Sequence, residues 1–138
     1  MKLLHRLQRG AMSYTKQMLD TYPRTVAIDA DMLAPTIDAL NDCTQACTAD
    51  VDADLSEQNL TEMVTCIRLR LHRADVCTAT AGVTSRQAEY DANVTRPLLE
   101  ACAAIYKSCG DECERHARMH EHCQFCAEAC RDLLDAMK

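Results

Sequence analysis

The chain has 138 residues, 48% of them apolar but only 4% aromatic and none Trp, which suits one domain with a core of aliphatic, Met and Cys side chains. Its formal charge of −6, from 15 basic and 21 acidic residues, argues against a nucleic-acid backbone or an anionic membrane as partner. Three Gly and three Pro are too few for the turns of a sandwich or barrel, so a few long helices are expected.

In chain order, residues 2–20 read as a basic amphipathic lead-in carrying Leu3, Leu4, Leu7 and Met18 with Lys2, Arg6, Arg9 and Lys16. Tyr22-Pro23 ends it, because the residue before proline is biased out of the helical region. Pro35 suits a first helical position and opens a helix over residues 34–53. Ser56, ahead of Glu57, caps a second helix that stops near Gly82. A third runs from about Ser85 to Arg118 with Pro97 as a kink or restart, and a fourth from His120 to Met137. Short connections make neighbours antiparallel, so the fold expected is an all-α, up-down-up-down four-helix bundle. Residues 1–33 are then an N-terminal helical extension and linker, and residues 34–138 the bundle.

Ten cysteines dominate the composition. The opening residues are broken by His5, Arg6 and Arg9 before an apolar leader can form, and no uncharged run of about 18 residues could span a bilayer. The compartment expected is therefore the reducing cytoplasm, where many thiols more often mean metal than disulfide. At about 100° per residue, Cys43 and Cys47 lie about 40° apart, and Cys66 and Cys77 about 20° apart. Cys102, Cys109 and Cys113 share a third such sector, and Cys123, Cys126 and Cys130 a fourth. Each bundle helix carries one sulfur stripe. Leu40, Ala46, Leu69, Leu99 and Ala127 lie on or near the same faces, which turns the stripes inward. The bland alternative is that free Cys is a small buried hydrophobe with no role.

Zinc wants four ligands closing a tetrahedron, yet Cys123-Gln-Phe-Cys126 is the only C-x2-C and lies within a helix. The C-x2-C-x3-C run of residues 123–130 lacks the preceding Cys and following Pro of a ferredoxin loop. Cu(I) is soft, favours thiolate and thioether sulfur, and is content with two near-linear ligands, which facing C-x3-C stripes offer repeatedly. One Cu(I) per thiolate also leaves the interior near neutrality, which sets an upper bound of about ten ions.

Several runs carry a resemblance: Cys66-Ile-Arg-Leu, Ala74-Asp-Val-Cys77, Leu99-Glu-Ala-Cys102, Cys109-Gly-Asp-Glu-Cys113-Glu-Arg-His116, Met119-His120-Glu-His-Cys123 and Cys126-Ala-Glu-Ala-Cys130. From about Met12 to Ala136 the chain resembles the cysteine-rich four-helix-bundle copper storage proteins of bacterial cytosol. The resemblance implies multiple Cu(I) ions on inward cysteines, storage rather than catalysis, and a homo-oligomer of bundles. Where that family commonly repeats cysteine, Asp50, Asp54, Arg73, Tyr106, Leu133 and Met137 stand here, so the stripes are thinned. Arg73 and the two Asp either pair inside the bundle or, the commoner fate of charges at bundle ends, are solvated.

His116, Met119 and His120 cluster at one end of the bundle beside Cys113 and Cys123. They read either as a port that hands copper to the interior or as a polar turn with solvated imidazoles. Met63 is a further candidate thioether, while His72 and His122 read as surface residues and His5 has no visible role. No phosphate-binding Gly loop or nucleophile–base pocket is visible, so enzymatic activity is not expected. A structural or interaction module with a reduced or lost metal site is the alternative to copper storage.

Overall fold

The computed structural model describes residues 13–113, 128 and 130–137, and among them every regular element is helical. A short α1 covers Thr15–Asp20, followed by α2 over Ala30–Leu55, α3 over Leu60–Ser85 and α4 over Ala92–Cys113. Residues 130–136 form α5, the described part of the last helix. Contacting pairs run in opposite senses along each neighbouring couple. Thr44 meets Thr78 and Asp54 meets Arg70 across α2 and α3; Thr80 meets Cys102 and Cys77 meets Tyr106 across α3 and α4. Arg96 donates to the Met137 carbonyl at 3.3 Å, and Cys102 bonds Cys130, which lays α5 antiparallel to α4. The expected up-down-up-down four-helix bundle is the fold.

Helix boundaries depart from expectation where side chains outcompete Gly and Pro. Asp29 caps α2 by accepting the Asp31 N–H at 2.9 Å, so the helix starts at Ala30 and holds Pro35 within it. Pro35 leaves only the Asp31 carbonyl without its helical donor, and Asp31 is exposed to water. Ser56 does not cap the second helix. Its hydroxyl donates back to the Asp52 carbonyl at 3.1 Å and closes α2, while α3 begins after Asn59. Gly82 is not a stop either. Ser85 donates to the Ala81 carbonyl at 2.6 Å and Gln87 to the Thr84 carbonyl at 2.8 Å, which carries α3 three residues further. The third bundle helix starts at Ala92 rather than Ser85, because Asp91 accepts the Asn93 N–H at 2.9 Å and nucleates the turn. The intervening connection contains Glu89 at φ 52°, a left-handed conformation.

The core begins as an aliphatic layer beside the turn between α3 and α4. Leu33, Leu40, Leu99 and Leu133 are completely shielded, each contributing about 1.5–3 kcal/mol of burial. Of the lead-in, Leu19 joins this core, and Ser13 and Thr15 both donate to Asp38 at 2.7 Å to hold α1 on α2. Met18, expected on the apolar side, is 68% exposed, because a helix of one and a half turns presents only Leu19 to its support. Residues 1–12, and the connection from residue 114 to 127 with the expected break at Arg118-Met119, lie outside the described residues. Among the described residues no helix is long and apolar enough to cross a membrane.

Candidate metal centre

Cys43, Cys47, Cys66, Cys77, Cys102 and Cys130 are all buried. The described cysteines of each helix therefore face inward, as the 3.6-residue period requires of an apolar face. Five of them, all but Cys66, belong to the same core as the leucines above. Cys43 and Cys47, one turn apart on α2, hold their sulfurs at 3.9 Å. Cys102 sits between Cys130 of α5 and Cys77 of α3 and lies 3.1 Å from the Thr80 hydroxyl. Four helices thus deliver sulfur to one place.

Hydrogen bonds from Cys130 and then Cys77 draw the Cys102 thiol down to about 4, with Thr80 adding to them, while burial and the nearby Cys43 oppose. The charge belongs to the group of thiols that shares it rather than to one residue. A first thiolate is therefore available at neutral pH inside an apolar core. With metal–thiolate bonds of about 2.3 Å, Cys43 and Cys47 at 3.9 Å would flank one ion at a bent angle, and a linear two-coordinate ion would need them about 4.6 Å apart. Among the described residues no group of three or more His, Cys, Asp or Glu side chains is closed enough to form a metal cage.

Of the two fates open to the charged residues in the stripe, Asp54 and Arg73 take the buried one. Asp54 is 5% exposed and accepts from the buried Arg70 guanidinium in an ion pair between α2 and α3. Arg73 is 1% exposed and stacks 4.3 Å over the Tyr106 ring, whose hydroxyl is 2.8 Å from the Cys77 sulfur. Leu133 fills the position it occupies as plain core. Met63 is buried, and His72 is exposed as expected. Missing from the sequence reading were Tyr106 and Thr80 as partners of sulfur. The spacing of Thr80 from Cys77 and of Tyr106 from Cys102 on the same helical faces was the signal. Cys123, Cys126, His116, Met119 and His120 lie outside the described residues, as do the side chains of Cys109 and Cys113, whose backbone closes α4.

A family model described as copper storage protein matches residues 29–138. The chain belongs to the copper storage protein family. The copper storage protein Ccsp of Streptomyces lividans, in a structure loaded with 10 copper equivalents, shares 49% identity at a TM-score of 0.76, covering 88% of this chain and 98% of that one. The same Streptomyces lividans protein, described as cytosolic and carrying five coppers, matches at 55% identity and a TM-score of 0.62 over 77% of this chain and 88% of that one. A variant of it with two histidines replaced by alanine matches at 52% identity and a TM-score of 0.63 over 79% and 92% of the two chains. No curated protein matches. For a copper storage protein, a core that gathers sulfur from four helices offers soft ligands in one place.

Proposed function

We propose that this chain is a cytosolic copper store that holds several ions as Cu(I) between cysteine sulfurs inside the bundle. One observation carries the reading: five buried cysteines from four helices share one core around Cys102. Cys43, Cys47, Cys77, Cys102 and Cys130 are the inner ligands of this proposal, Cys66 a further one. Cys109, Cys113, Cys123 and Cys126 complete the ligand set by their spacing. A soft monovalent ion suits thiolate, and each ion bound offsets the charge of the sulfur that takes it. His116, Met119 and His120 form the loading port. Their support is chemical, since imidazole and thioether bind copper without a buried anion, and comparative, since the double variant of the Streptomyces protein replaces histidines at the same four-residue spacing. The extension expected over residues 1–33 gives Ala30–Leu33 to α2 and otherwise precedes the ligand-bearing helices, and copies of the chain assemble into a homo-oligomer.

Anaerobic titration of the reduced protein with Cu(I) against a chromophoric chelator tests the store. Several equivalents are withdrawn from the chelator. Uptake of one equivalent or none would instead make the chain a structural helical module. Changing Cys109, Cys113, Cys123 and Cys126 together to Ser removes most tight binding if they belong to the set, and an unaltered curve would exclude them.

A further inference from the structure

Two hydroxyl groups are built into the sulfur lining. Cys77 and Thr80 lie about one turn apart on α3, and Cys102 and Tyr106 about one turn apart on α4. Because these helices run antiparallel, the hydroxyl of each meets the sulfur of the other: Tyr106 Oη is 2.8 Å from Cys77 Sγ, and Thr80 Oγ1 is 3.1 Å from Cys102 Sγ. The two sulfurs also bond each other, so the four side chains form one crosswise group between α3 and α4. Cys77, Thr80 and Cys102 are wholly shielded from solvent, and Tyr106 is buried with them. The phenol ring is held in place by the Arg73 guanidinium, 4.3 Å from its centre, and the Thr80 hydroxyl by a β-branched side chain on a helix.

While a thiol keeps its hydrogen, either partner in such a contact can donate. Copper takes the place of that hydrogen, and a metal-bound sulfur only accepts, so the oxygens become the donors. The phenol of Tyr106 then directs its hydrogen at Cys77. The single hydrogen of Thr80 has two acceptors, the Val76 carbonyl at 2.7 Å and the Cys102 sulfur. That carbonyl already accepts the backbone N–H of Thr80 within α3, whereas an anionic sulfur forms the stronger, charge-assisted bond. The donors have a purpose: Cu(I) between two thiolates leaves the unit negative, and the core around it is largely apolar.

We propose that Tyr106 and Thr80 are positioning residues for copper, whose hydroxyls hydrogen-bond the copper-bearing sulfurs of Cys77 and Cys102 and tighten their grip on the ion. The proposal rests on the cysteine-ligand reading above, and its test separates the two. Reduced full-length protein is titrated anaerobically with Cu(I) against a chromophoric chelator, and the equivalents held at this group are identified as those lost in Cys77→Ser and Cys102→Ser. Loss of a hydrogen bond to a metal ligand costs about tenfold to hundredfold in affinity, and Tyr106→Phe and Thr80→Val, which remove the oxygen with little change of volume, each weaken these equivalents by that factor. Thr80→Ser, which regains the hydroxyl and gives up a core methyl, restores the grip. Space filling alone predicts the opposite order, with Ser weaker than Val. Tyr106→Phe adds no further loss to Cys77→Ser, because the sulfur it serves is gone. The Tyr106 and Thr80 arms are on different helices, so each stands if the other variant fails to fold. Unmoved affinity in folded Tyr106→Phe or Thr80→Val, a Ser variant weaker than the Val variant, or an added loss on top of Cys77→Ser would overturn the role of the hydroxyls alone. No copper uptake by the unmodified protein, or no loss in the two cysteine variants, would overturn the ligand reading and this role with it.

Discussion

Among the described residues Arg73 is the largest side chain completely withdrawn from solvent, and with Asp54 and Arg70 it makes the interior partly ionic. Removing one member of the Asp54–Arg70 pair strands the other charge, so Asp54→Ala is expected to cost about 3–5 kcal/mol in urea unfolding of the reduced apo protein. Replacing the pair together, as Asp54→Leu with Arg70→Met, is expected to be near neutral, because it removes both desolvation penalties. Cys102 makes stability depend on pH in a definite sense. Its folded value near 4 lies below the ordinary 9.0, so between these values the unfolded chain carries a proton that the folded one lacks. Stability then rises with pH across that window and is lost as pH falls through about 4. Thermal melts of apo protein at about pH 5 and about pH 8 read the slope, and Cys102→Ser is expected to flatten it. The inward cysteines were legible from spacing alone, because a period of about 3.6 residues fixes a face. The ionic pair was not. Its members are 16 positions apart and meet only after α2 and α3 have packed, so no local pattern announces them.

At the scale of helices, chain order and antiparallel packing could be read from the sequence, whereas the ends could not. Gly and Pro mark ends when nothing else satisfies the terminal backbone groups, and here Asp29, Asp91, Ser56 and Ser85 do so. Asp29→Ala is accordingly expected to lower stability by about 1 kcal/mol and to fray the first turn of α2 in amide hydrogen exchange. Glu89 holds a left-handed conformation that costs a side-chain-bearing residue about 1–2 kcal/mol. Glu89→Gly relieves that strain against a smaller loss of unfolded-chain restriction, so a gain of about 0.5 kcal/mol is expected, measured against Glu89→Val, which should lose stability. The fate of the lead-in was half legible: Leu19 docks, but the anchor is the pair of hydroxyls on Asp38, a contact 23 to 25 positions long.

The whole molecule couples cargo to fold, since thiols from four helices meet only when those helices are assembled. Copper bound to the folded state alone is expected to raise the melting temperature, by the equivalent of about 4 kcal/mol at a thousandfold excess over Kd, and a strong chelator should return it to the apo value. A reservoir passes part of its life empty, and the six described thiols, all buried and none cross-linked, bear on how it survives that interval. Peroxide or a disulfide-exchanging thiol reaches them only when the helices part, and neighbouring sulfurs on one helix are held 3.9 Å from each other by a backbone that resists bridging them. The shelf life of the vacant container is therefore a matter of how often it breathes, not of how reactive its lining is.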